Sequence, residues 1–255
     1  MFFVGKLYLM TFHFSAILPD LGIGILSDSA VSYELGDGSW SRLEHQPKTF
    51  IVSSNAAIAC AGSQIHCMSV VNKIVLELKQ DATFSEIAPR IQQAYREAAK
   101  QHGAGQVEFL LAARTERKKP RLKLIKYAVK PNGVELKRLE HSGQHHYTAG
   151  LTLPRLANEL CVVLTHNYPI AGSITEKIGP QLCAQSEAIK SPKSFGMGIC
   201  FGAFMPVVED YVQRNGHSDT VGSPWTILLM PEDGPIHFQS SQMYDGSQSI
   251  QPYEI

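Results

Sequence analysis

The stretch from Thr11 to Ser29, TFHFSAILPDLGIGILSDS, constrains the fold more than any other part of the chain. Phe12, Phe14 and Ala16 alternate with His13, Ser15 and Ile17, the two-residue period of a strand. Pro19, Asp20 and Gly22 supply turn chemistry, and Ile23, Ile25 and Leu26 resume a second strand that delivers Asp28 at its end. The chemistry that can be argued for the chain hangs on this hairpin. It has a hydroxyl residue at one end and a carboxylate at the other.

With 255 residues, 44% of them hydrophobic and 18% charged, the chain has the make-up of an ordinary soluble globular protein with a sizeable core. Lys plus Arg and Asp plus Glu are 23 each, so there is no charge argument for nucleic acid or for an anionic membrane. The five cysteines, Cys60, Cys67, Cys161, Cys183 and Cys200, are widely spaced without a CxxC pair and read as reduced, mostly buried thiols. The opening FFVGKLYLM is too short for a secretory segment, and no run of about 18 apolar residues follows, so a cytoplasmic address is expected. His145 and His146 point to opposite sides of a strand, and no acidic third ligand is spaced to join them or His66, so neither a metal nor any other cofactor is expected.

Residues 29–47, SAVSYELGDGSWSRLEHQP, are polar and Gly-rich and read as a loop leading to Lys48. A second hairpin follows, Thr49 to Val52 and Ala56 to Ala61, with Gly62 ending it. Ser63 is placed to cap a helix whose apolar positions are Ile65, Met68, Val71, Ile74, Val75 and Leu78. A second helix spans Phe84 to Gln101, capped by Thr83 or Ser85 and tolerating Pro89 near its start. Strands return at 107–114, 122–129 and 134–139, around a basic run at 117–123 that reads as a solvated hairpin tip. Two more helices, 154–168 and 174–190, precede strands at 195–204, 225–230 and 236–239. No linker divides this order, which predicts a single domain over 1–255. The predicted fold is α+β, a four-layer αββα sandwich of two antiparallel sheets flanked by helix pairs.

In order and spacing the sequence resembles the proteasome-type branch of the N-terminal nucleophile (Ntn) hydrolases, which includes bacterial homologues of proteasome β subunits. Thr11 opens the first strand, GIGILSDS at 22–29 looks like the family's second strand ending in Asp-Ser, Lys48 opens the third, and AIACAGS at 57–63 is similar to its Ala-Gly turn. The resemblance implies threonine-type hydrolysis of a peptide or amide, with a peptide or protein as substrate. Thr11 would be the nucleophile and its own α-amine the base. It implies that Lys48 favours the alkoxide, that Asp28 orients Lys48, and that the Gly62 N–H stabilises the oxyanion. It also implies a homo-oligomer, with a ring as one form.

Thr11 can act this way only with a free amine, and residues 1–10 precede it. They form either an extra segment or the product of a mis-assigned start, because Met10 stands directly before Thr11. Self-processing relatives carry glycine at that position. In HHYTAGLT at 145–152, Leu151 or Thr152 stands where the family has a supporting serine, and Ser191, Lys193 and Ser194 come without the expected aspartate. Two further readings stay open: a catalytically inactive scaffold subunit and an Ntn amidase acting on a small molecule. A Cys60 nucleophile is a further reading, although AIACAG reads as a buried strand.

Overall fold

The computed structural model describes residues 7–9, 13–18, 22–29, 31–34, 40–43, 46–116, 121–140, 214 and 224–241. These residues build two antiparallel sheets and a helix pair. The larger sheet contains β1 (Leu7–Leu9), β4 (Val31–Glu34), β5 (Trp40–Leu43), β6 (Thr49–Ser53), β7 (Ala56–Ser63), β8 (Val107–Arg114), β9 (Leu122–Val129) and β10 (Leu136–Glu140). Its order is β10-β9-β8-β7-β1-β4-β5, and β6 also pairs with β7. The smaller sheet has the order β12-β11-β3-β2, from β2 (His13–Leu18), β3 (Gly22–Ser27), β11 (Trp225–Met230) and β12 (His237–Ser241).

The central strands are apolar on both faces because both are covered, as alternate residues show. Ala57, Ala59 and Ala61 of β7, with Leu110 and Ala112 of β8, meet Ile23, Ile25, Leu228 and Met230 of the smaller sheet. The intervening Ala56, Ile58, Cys60, Phe109, Leu111 and Ala113 face the helices α1 (Gln64–Glu77) and α2 (Phe84–His102). The described layers are therefore helix pair, larger sheet, smaller sheet. The expected second helix pair, 154–168 and 174–190, lies outside the described residues, as do the strand expected at 195–204 and most of the basic run.

Local chemistry accounts for the element ends. At the start of α2 the Glu86 carboxylate accepts the Thr83 N–H at 2.9 Å, satisfying a donor that the helix leaves over. Ile87, Ile91 and Tyr95 are then fully buried, at a gain of about 1.5–3 kcal/mol per aliphatic side chain. Lys73 with Glu97 and Arg90 with Glu77 also join the helices, but these half-exposed pairs add little. Gly22 starts β3 at φ 118, and a Cβ there would stand 2.1 Å from the Met230 carbonyl oxygen, so only glycine lets β3 and β11 meet. No helix among the described residues is long and apolar enough to cross a membrane.

Several expectations need correction. Residues 31–43 are not simply a loop, since β4 and β5 pair with register Val31↔Leu43 to Glu34↔Trp40. At four residues each, these strands are too short for their alternation to stand out beside Gly36–Ser39. Helix α1 turns a different face inward: His66, Cys67, Val70, Val71 and Ile74 are buried, whereas Ile65 and Val75 are 52% and 50% exposed. Two hydrogen bonds anchor His66 on that inward face, beside the core residues Cys67, Val70 and Ile74. Val134 belongs to a turn, its N–H donating to Asn132 Oδ1 at 3.2 Å, and β10 starts two residues later. Gly62 does not end β7, which continues through Ser63.

Candidate active site

Asp28 directly follows β3, and Lys48 directly precedes β6. The two sheets bring these ends together: Lys48 Nζ donates to Asp28 Oδ1 at 3.0 Å and to Oδ2 at 2.9 Å. Neither side chain has any exposed surface. Removing two charges from water costs several kcal/mol per ion, and an attraction of this kind roughly offsets that cost. The pair is therefore weak evidence for stability. Ser27 Oγ donates to the Asp28 carbonyl at 2.9 Å, and Ser29 Oγ to the Pro224 carbonyl at 2.5 Å, fixing the chain on both sides of the aspartate.

Lys48 occupies a break along one edge of β7. On one side β6 pairs from Thr49↔Ala59, and on the other β1 pairs Leu9↔Gly62 and Tyr8↔Ser63. Between them the Cys60 N–H donates to the Lys48 carbonyl at 2.8 Å. Gly62 lies within the strand at φ 98, a conformation that residues with a side chain rarely adopt. Thr11 and Met10 lie outside the described residues, but the chain is anchored to β7 on both sides of them. Leu9 is in register with Gly62, and His13 bonds to Cys60.

His13 escaped the sequence reading, where it was only one polar position of an alternating strand. It is fully buried, with Nε2 2.9 Å from the Cys60 carbonyl oxygen. A carbonyl only accepts, so Nε2 carries the proton and Nδ1 the lone pair. Burial pushes the imidazole pKa down to about 3; the bond to Cys60 opposes this and the nearby Lys48 charge adds to it. His13 is thus a neutral donor throughout the physiological range. Among the described residues, its Nδ1, Ser15 Oγ and Thr49 Oγ1 are buried without a hydrogen-bond partner. The register sets His13 directly across the hairpin from Ser27, the residue before Asp28.

A second polar cluster follows Gly62. Ser63 Oγ lies 2.7 Å from His66 Nδ1, and His66 Nε2 lies 2.8 Å from the Gly103 carbonyl oxygen. The carbonyl fixes the proton on Nε2, so the Ser63 hydroxyl donates to Nδ1 rather than capping α1. Burial beside Cys67 pushes the Cys60 thiol pKa well up, which removes the thiolate that a Cys60 nucleophile would need. Among the described residues, no group of three or more His, Cys, Asp or Glu side chains gathers to hold a metal ion. His145, His146, Leu151, Thr152, Ser191, Lys193 and Ser194 lie outside the described residues.

No family model matches the sequence, and no curated protein matches it. Solved structures do. Anbu (Gly-1) mutant from Hyphomicrobium sp. strain MC1 superposes with a TM-score of 0.51 at 14% identity, over 87% of this chain and 81% of that one. Anbu (ancestral β-subunit) from Yersinia bercovieri gives 0.49 at 16% identity, over 86% and 81%. The likeness to the first is one of fold, and it supports the α+β sandwich of two antiparallel sheets expected from the sequence.

Proposed function

We propose that this chain hydrolyses peptide or amide bonds with Thr11 as an N-terminal nucleophile. The observation that carries this reading is the fully buried Asp28–Lys48 pair, which reaches from the end of β3 to the edge of β7 two residues from Gly62. Once Thr11 is the first residue, its α-amine has an ordinary pKa of about 7.7–8.0 and is partly unprotonated near neutral pH, unlike a lysine at about 10.4. The amine takes the hydroxyl proton as Oγ attacks the scissile carbonyl carbon. Lys48, kept charged by Asp28, favours the alkoxide, and the Gly62 N–H receives the developing oxyanion. Collapse expels the leaving amine with the proton from the α-amine and leaves an ester on Thr11. Water then cleaves that ester by the same proton path. The assembly that accompanies this reading is a homo-oligomer, and the domain is the whole of 1–255.

The experiment compares two forms of the protein, one retaining Met1 and one with Thr11 exposed, after mass spectrometry has established each N-terminus. The Thr11 form is expected to cleave fluorogenic peptides, and Thr11→Ala in that form is expected to fall to background. Equal cleavage by wild type and Thr11→Ala would remove Thr11 from the mechanism.

A second reading has its own observation. With residues 1–10 in place, β1 pairs with Gly62 and Ser63 on one side and with Ser32 and Tyr33 on the other, so upstream chain covers the edge at the candidate oxyanion donor. A protein that keeps Met10–Thr11 intact is then a catalytically silent scaffold of the same fold. Met1 retained on the native protein is the outcome that selects it.

A further inference from the structure

We infer that His13 is a positioning residue that fixes the distance between the nucleophile-bearing hairpin and the Gly62 strand; the inference rests on the hydrolase reading above. Among the described residues, polar links cross between the sheets at this end of the sandwich. One is the Asp28–Lys48 pair, from the end of β3 to the start of β6. Another is the His13 Nε2–H donation to the Cys60 carbonyl, from β2 to β7.

Ladder and backbone bonds close these links into a ring. His13 stands opposite Ser27 across the hairpin, and Asp28 follows Ser27. Asp28 holds Lys48, the Lys48 carbonyl accepts the Cys60 N–H at 2.8 Å, and the Cys60 carbonyl accepts from His13 at 2.9 Å. The ladder to β11 and the core between the sheets hold the body of the hairpin, and the two polar crossings joined by ladders fix the separation and angle of its end at β2. In sequence, His13 is two residues after Thr11, the candidate nucleophile, and Cys60 is two residues before Gly62, the candidate oxyanion donor.

The choice of residue type fits the task. A donor is needed to reach a carbonyl across the sheet interface, and a second cation beside Lys48 would repel it. A neutral imidazole donates without adding charge and fills the space as an aromatic ring. Cys60 is fully buried as well, so water does not compete for the bond.

The test uses the protein with Thr11 at its N-terminus. His13→Gln keeps an N–H near the position of Nε2, His13→Phe keeps the ring but removes the donor, and His13→Met removes the donor with a side chain flexible enough to pack if the Phe variant does not fold. Ile87→Val, in α2 away from the site, controls for lost stability. With kcat and KM measured well below each melting temperature, His13→Phe or His13→Met should lose about 10- to 100-fold in kcat with KM nearly unchanged, the scale expected of a misplacement near 1 Å. His13→Gln should recover most of that loss, and Ile87→Val should keep the wild-type kcat.

A donor-free variant with wild-type kcat, or a Gln variant as slow as the donor-free ones, overturns the role of His13 alone. A wild-type protein that cleaves nothing overturns the hydrolase reading and this inference with it.

Discussion

Acid should destabilise this protein through His13, and by an amount that can be worked out. Burial holds the folded imidazole at a pKa of about 3, against an ordinary value near 6.5 in the unfolded chain. Between those values the unfolded chain binds a proton that the folded chain refuses, so stability is complete above pH 6.5 and falls as pH drops below it. The loss is about 1.4 kcal/mol per pH unit, or about 2 kcal/mol at pH 5. Other groups titrate in the same range, and comparison with His13→Gln, which has no proton to bind, cancels them. Urea unfolding at pH 7.5, 6 and 5 is the assay. The stability difference between wild type and His13→Gln should be constant above pH 6.5 and shift against wild type by about 2 kcal/mol at pH 5. Parallel pH profiles for the two proteins would refute the reasoning, because they would mean that His13 takes up its proton in the folded state.

Two further outcomes follow from the same geometry. Asp28→Asn leaves the Lys48 cation buried without its counter-charge and should cost about 3–5 kcal/mol by chemical denaturation, whereas Asp28→Leu combined with Lys48→Met should recover most of that loss while abolishing any hydrolysis. Gly22→Ala forces a Cβ into the Met230 carbonyl oxygen, 2.1 Å away, at a backbone φ of 118, and should lower the melting temperature by at least several degrees in differential scanning calorimetry.

The parts of the fold legible in the sequence were those where a single physical signal dominated. β8, β9 and β11 were located to the residue because their apolar runs end at charged or turn residues such as Arg114 and Pro231. β1, β4 and β5 were not legible as strands. Each has only three or four residues, and β1 and β4 pair with neighbours distant in sequence: Tyr8 pairs with both Ser63 and Ser32. The exposed Ile65 and Val75 show the limit of periodicity in α1, where two adjacent helical faces were both apolar and the hydrogen-bonded His66 lies on the one that turns inward. At the site, Thr11, Asp28, Lys48 and Gly62 come from the family resemblance; the structure brings Asp28 and Lys48 into contact close to the edge that carries Gly62, and Thr11 lies outside the described residues. His13 was missed because its signal lies in cross-strand register and burial, which one strand's own sequence does not contain.

Comparison with Arg114 shows why the Asp28 corner reads as a site rather than as scaffold. Arg114 is also a buried cation, and burial lowers its pKa somewhat, with Asp233 opposing. Its guanidinium donates to the carbonyls of Ser54 at 2.9 Å, Pro231 at 2.8 and 3.2 Å, and Gly234 at 2.6 Å, binding the turn after β11 to the far end of the larger sheet. There the charge is spread over backbone acceptors and no local rule is broken, as expected of a part whose work is cohesion. Around Lys48 three uncommon features meet. An ammonium is sealed from water, a histidine keeps one ring nitrogen buried without a partner among the described residues, and a strand passes through a glycine at φ 98. Apolar residues of similar volume would fill the same space at no loss of stability. Departures of this kind gathered within a short stretch of the two facing sheets are what mark this corner as a candidate site.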